Sequence, residues 1–290
     1  MESKSILDIL LELKPYLDEI SKGYIEKETK HCMILKSALR KNIEFNLFVW
    51  QQKQENQDKN SFFSVATLRG ICEDIITLNF LNTLNKNDRN NIIDNLFHLD
   101  FLKTSVVQSD FFEKNRPLQP IFKKISDQSK LELEISQLEN NIKNIANNYP
   151  NWKPDKYKLL PSVKKMAEFC DLEELYDYLY AATSRWVHFN TNILLRMVWY
   201  EEEKQDLFYT TSTENFYRYY LEFNRFYASY LLVKFYDIFQ KELLFPQDCE
   251  NLIEEIRIIH QKTPRWPELI TFEEMNIQPP SSFQYGLFNI

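Results

Sequence analysis

The sequence predicts an all-α fold, and three observations carry that prediction. Apolar residues recur every three or four positions through most of the long segments, the spacing of helices buried on one face. Glycine occurs only as Gly23, Gly70 and Gly286, too rarely for the tight turns of an all-β fold. Hydrophobic (44%) and charged (27%) contents suit a globular chain with a buried core. At 290 residues, the chain is read as a single helical domain, 1–290. Its expected form is a mostly antiparallel helical bundle with a protruding helical hairpin at 89–149 and a docked irregular tail at 264–290.

Composition also excludes function classes. Three glycines cannot build a phosphate loop or a dinucleotide fingerprint. A net charge of −7 makes the surface as a whole no trap for nucleic acid, although a local patch remains open. The start, MESKSILDILLELKPY, is charged and amphipathic and does not read as a signal peptide. No stretch approaches a membrane span. Cys32, Cys72, Cys170 and Cys249 are scattered, with no zinc spacing, and suggest reduced thiols in a cytoplasmic protein.

The elements follow in order. Ile6–Ile20 places Ile6, Ile9, Leu10, Leu13 and Leu17 on one helical face, with Pro15 as a candidate kink. Gly23 is the expected stop. A second helix is expected over Ile25–Gln57, with His31 as a surface or capping residue and the polar QQKQENQDKN run as an exposed end and loop. Ser61–Leu84 is apolar on nearly every side. Asn87 or Asp88 then caps a helix over Arg89–Glu113, broken by Pro117 and Pro120. Within Ile121–Tyr149, Leu131, Ile135, Leu138, Ile142, Ile145 and Tyr149 form a heptad stripe, either one arm of an intramolecular hairpin or a dimer seam.

The connector Pro150–Pro161 carries Lys153, Lys156 and Lys158 among Trp152 and Tyr157. That pattern fits a solvated loop or a single-stranded nucleic-acid contact. Ser162–Phe169 reads as a short helix, Leu172–Tyr200 as a longer one and Glu201–Ser212 as a polar loop. Thr213–Leu244 is a helix crowded with rings, expected in the core. Gln247–Gln261 is the last helix.

Two places point to chemistry. Arg69 and Glu73 lie one turn apart in the most apolar helix, on the face of Phe62, Val65, Ile76 and Phe80. Charges there are paired or used. The pair is either an ion pair that fixes packing, or an arginine for phosphate or carboxylate oriented by its glutamate. On the later helix, Tyr180, Ser184 and His188 recur every four residues, with Arg185 about one hundred degrees round. A histidine beside an arginine and a serine suits proton transfer near neutral pH, and it also suits a hydrogen-bonded core position. Ser184 lacks a nucleophile elbow, so a serine hydrolase is disfavoured. No Glu-x-x-His or His-x-x-x-His helix motif is present, and neither a metal nor a cofactor is expected.

The segments SVATLRGICEDIITLNFL and YDYLYAATSRWVHFN, together with the tail PRWPELITFEEMN, resemble a family of uncharacterised bacterial helical proteins. In that family an Arg-x-x-x-Glu helix is followed by a Tyr/Ser-rich helix ending in His. The matching residues are Arg69, Glu73, Tyr180, Ser184 and His188, and the likeness runs from Phe62 to Asn276. A looser resemblance is to the all-α HEPN ribonucleases and toxins, which use Arg-x4–6-His without metal. This sequence departs from that pattern. The window before His188 holds Ala181, Ala182 and Thr183, and only Arg185-x-x-His188 and Arg257-x-x-His260 occur. A HEPN-like site here would take Arg69 from another helix.

These readings give one expectation. The 61–84 and 172–200 helices pack together and assemble a pocket from Arg69, Glu73 and His188 as catalytic residues, with Tyr180, Ser184 and Arg185 binding ligand. The family resemblance supports the site and not a reaction; the looser HEPN resemblance implies an intracellular bacterial conflict-system effector or accessory protein acting on a phosphate-containing ligand, with a metal-independent ribonuclease among the candidates. The competing expectation is a non-enzymatic scaffold that binds a protein partner, or a second copy, through the 121–149 helix. No membrane is involved in either.

Overall fold

The computed structural model describes residues 4–24, 28–52, 54–116, 128–154, 158–188, 190–203, 206–213, 217–268 and 270. Among the described residues the chain is an all-α bundle of ten helices with one two-stranded antiparallel sheet. None of these helices is long and apolar enough to cross a membrane.

The first helix, α1 (Ile6–Ile20), opens with a reciprocal cap. The Ser5 hydroxyl accepts from the Asp8 N–H at 3.2 Å, and the Asp8 carboxylate accepts from the Ser5 N–H at 3.1 Å. The helix continues through Pro15 and buries the predicted face on α2 (Lys30–Trp50) and α10 (Gln247–Lys262). The core lies where α2, α3 (Gln54–Asn82) and α9 (Tyr217–Leu243) meet. Phe223, Phe235 and Phe239 of α9 are fully buried, so the predicted aromatic stripe is indeed core. Two buried amides tie the three helices together. Asn46 Nδ2 donates to the Ala228 carbonyl at 3.0 Å, and Asn224 Nδ2 to the Ser61 carbonyl at 2.9 Å.

Several boundaries differ from the sequence reading. The second helix begins at Lys30, capped by Thr29, and ends at Trp50 rather than Gln57. The polar QENQDKN stretch is the opening of α3, because Gln, Glu and Lys favour helix without showing an apolar face. His31 is neither a surface residue nor a cap. It is 4% exposed, beside Arg89 and Asn82, and its Nε2 finds no hydrogen-bond partner among the described residues.

The arm is formed by α4 (Lys86–Asn115) and α5 (Gln128–Ala146). The cap of α4 is Asn85, whose side chain accepts from the Asp88 N–H at 2.9 Å, two or three residues earlier than expected. Lys103–Glu139 at 2.8 Å and Asn141–Asn95 at 3.2 Å join the two helices. On α5 the heptad stripe is spent within the chain: Leu131 and Ile142 are buried, and Ile135, Leu138 and Ile145 are half-buried. Pro117, Pro120 and the start of the predicted 121–149 helix lie outside the described residues.

Trp152 corrects the nucleic-acid reading of the connector. Its ring is buried 5.5 Å from Phe80, and its Nε1 donates to the Leu159 carbonyl at 2.9 Å, so it is not free to stack on a base. Lys156 and Tyr157 lie outside the described residues. The next helix, α6 (Val163–Phe169), is as predicted.

The predicted 172–200 helix and 201–212 loop are replaced by four elements: α7 (Glu173–Val187), α8 (Thr191–Arg196), β1 (Val198–Glu203) and β2 (Asp206–Thr211). Asn190 restarts the chain, its side chain accepting from the Ile193 N–H at 3.1 Å as an N-cap. Val198–Thr211 then pairs as a hairpin, with Val198 opposite Thr211 and Glu203 opposite Asp206. The Val-Trp-Tyr and Phe-Tyr-Thr-Thr runs favour strand, and the glutamates between them masked this.

The tail is described to Glu268 and at Ile270. At its start, the Tyr178 and Tyr227 hydroxyls donate to the Pro267 carbonyl at 3.0 and 3.3 Å, and Trp266 lies 5.0 Å from Phe226. Residues 271–290 lie outside the described residues.

One substitution follows from the end of α9. Leu244 has φ 52° and is 81% exposed, so it bears left-handed strain with no packing in return. Leu244→Gly is expected to raise stability by about 0.5–1 kcal/mol, read as a higher urea midpoint. An unchanged or lower midpoint would contradict this.

Candidate functional site at the α3–α7 seam

The seam is antiparallel. Arg69 faces Tyr180, Glu73 and Cys72 face Tyr176, and Phe80 meets Phe169 just before α7. Apolar packing positions it: Val65, Leu68, Ile76 and Phe80 of α3 and Leu179 and Ala182 of α7 are buried. Into this wall α3 sets its charged pair. Arg69 Nε donates to Glu73 Oε1 at 2.7 Å, and both side chains are about one-quarter exposed. The Arg69 guanidinium carbon lies 4.8 Å from the centre of the Tyr180 ring, a cation–π stack across the seam.

Burial works against the Arg69 charge. The Glu73 bond and charge outweigh it, so the guanidinium is held above its usual pKa. Among the described residues, no partner takes its two Nη groups. Burial, followed by the Glu73 charge, pushes the Tyr176 hydroxyl pKa up. Tyr176 and Tyr180 rings are 5.5 Å apart. Sequence reasoning did not single out Tyr176, although it lies one turn before Tyr180 and so shares its face. Glu73 also lines a groove of about 610 Å³ between α2, α3 and α4, where Lys41 pairs with Asp74 at 2.8 Å.

The remaining predicted residues follow along α7. Ser184 is half-buried one turn beyond Tyr180, and its carbonyl accepts the His188 N–H at 3.3 Å. Arg185 and His188 are exposed, and His188 is the C-cap, with extended backbone at φ −115° and ψ 158°. Among the described residues neither side chain makes a hydrogen bond or ion pair. The structure therefore brings Arg69, Glu73, Tyr176 and Tyr180 into contact and sets His188 eight residues further along, a rise of ~12 Å.

A second histidine–hydroxyl pair lies elsewhere. His260 Nε2 is 2.9 Å from Ser229 Oγ. Both residues are buried, and the Ser229 hydroxyl donates within its own helix, to the Phe226 or Arg225 carbonyl. With no access for a substrate, this pair is structural. Among the described residues no group of three or more His, Cys, Asp or Glu side chains is placed to hold a metal.

No curated protein and no solved structure matches this chain. Residues 64–206, which include Arg69, Glu73, Tyr176, Tyr180, Ser184, Arg185 and His188, match the model of a family of unknown function, DUF5677.

Proposed function

We propose that this protein is a cytoplasmic effector or accessory subunit of a bacterial conflict system that binds single-stranded RNA along the α3–α7 seam. Arg69 grips a phosphate, Glu73 and Tyr180 hold Arg69 in place, and His188 moves a proton in a metal-independent phosphodiester cleavage. Ser184 and Arg185 flank the strand between them.

The observation that supports this reading is the state of Arg69. Its Nε edge is fixed by Glu73 and its face by Tyr180, while its Nη edge is left for an anion. The eight-residue step from Tyr180 to His188 favours an extended ligand over a single phosphate group. The HEPN resemblance supports RNA as that ligand, with the arginine supplied from a different helix.

A second reading has its own observation. An i,i+4 pair stacked across a helix seam also fixes packing, and Arg185 and His188 are exposed rather than gathered at Arg69. In that reading the protein is a scaffold.

Binding of a labelled single-stranded RNA, followed by anisotropy, separates the two. Arg69→Ala is expected to weaken binding about 10-fold or more and to flatten the salt dependence by about one phosphate contact. Arg69→Lys keeps the charge but loses the fork and the stack, and should fall between. A drop in melting temperature with no change in RNA affinity would leave the scaffold.

A further inference from the structure

We infer that α4 is the self-association face of this protein, pairing antiparallel with α4 of a second copy about a two-fold axis at Thr104. Four large apolar side chains lie exposed along α4: Phe97 at 60%, Phe101 at 65%, Val107 at 70% and Phe111 at 58%. Successive residues turn by about one hundred degrees, so these four fall within one third of the helix circumference. That face points away from α5, which α4 meets through Asn95 and Lys103. Lys30 reaches the stripe at its start, over the Phe97 ring at 5.4 Å, where Phe97 also borders the groove between α2, α3 and α4.

The spacing of the stripe identifies the occupant. Phe97 and Phe111 lie seven residues either side of Thr104, and Phe101 and Val107 lie three either side. An antiparallel copy centred on Thr104 therefore brings Phe97 to the level of Phe111 of the second copy, and Phe101 to the level of its Val107. Such equivalence is what an isologous two-fold interface requires, since each patch must complement itself. Thr104 lies at the angular centre of the stripe, is itself exposed, and is small enough to let two helices approach to ~8–10 Å.

Size agrees. Aromatic side chains present about 150–250 Å² each, so the exposed parts of the three phenylalanines leave roughly 280–460 Å² of apolar area per chain, to which Val107 adds. That is the apolar share of a standard interface, which buries about 800 Å² per partner. It also lies within the range of patches that are usually functional on a monomer. The proposal concerns a different face from the α3–α7 seam and stands whether or not RNA binds there.

Sedimentation equilibrium of the full chain at 1–100 µM (about the range for an interface of this size) is expected to show a concentration-dependent dimer. Phe101→Asp combined with Phe111→Asp should weaken it about 100-fold or more. Both residues are exposed, so the variant should keep wild-type helicity and melting. Thr104→Cys, in a background with the half-exposed Cys32 and Cys170 changed to Ser, should cross-link to its own copy under mild oxidation. A monomer across the whole range overturns the pairing. So does a dimer in which Thr104→Cys fails to cross-link, or one that survives the double aspartate variant.

Discussion

Lowering the pH from 7 to 4 is expected to destabilise this fold by several kcal/mol, mainly through two buried histidines. Burial, with Arg89 beside it, holds His31 at about 4, while an Asn82 hydrogen bond works the other way. Burial alone holds His260 at about 4, among Phe226, Tyr230 and the Ser229 hydroxyl. Both pKa values are depressed from an ordinary histidine value of about 6.5. Between pH 6.5 and 4 the unfolded chain therefore binds more protons than the folded one (the window set by these pKa values). Stability is fully present above the unfolded value and falls as the pH drops through the window. The loss levels off below the folded value.

Each residue contributes about 2–3 kcal/mol over the full window. Asp18, held below the usual carboxylate range by Lys14 and Arg40, adds a loss only under its ordinary 3.8. Urea midpoints measured across the window should fall steeply, and His31→Gln and His260→Gln should each flatten the slope by about one proton. A wild-type midpoint that stays constant from pH 7 to 4.5, within about 0.5 kcal/mol, would contradict the burial that causes the shift.

How much of this was legible in the sequence depends on where the information is local. The Arg69–Glu73 pair stood out because two charges one turn apart in an apolar helix are costly unless they meet, and they do meet. The partnership of α3 with α7 was legible for a related reason, because an apolar helix must be covered by the apolar face of another. The stack of Tyr180 on Arg69 depends on the antiparallel register of two distant segments, which no local pattern encodes. His31 was misread because helix N-termini usually face water, whereas here the first turn of α2 lies under Arg89 and Asn82. The stretch 188–211 was misread as helix then loop. Its signals were an N-capping asparagine at 190 and β-favouring runs on either side of a glutamate cluster, and periodicity over a long window averages these away.

Removing the His188 imidazole should separate chemistry from structure more cleanly than any other change. The side chain is exposed, bonds to nothing among the described residues, and caps α7 through its backbone rather than its ring. His188→Ala should therefore leave the melting temperature near wild type, yet lower RNA cleavage about 10²–10⁴-fold, the range for loss of a general acid or base. Arg69→Ala should cost about 10²–10³-fold by losing charge stabilisation at the phosphate, with a modest fall in stability from the lost Glu73 pair and Tyr180 stack. If both act on one transition state, the double variant will be far less impaired than the product of the single losses. Multiplicative losses would mean that Arg69 and His188 serve different steps or different sites. If wild type cleaves no RNA, or His188→Ala cleaves as well as wild type, the catalytic role falls and the seam is left with binding or packing alone.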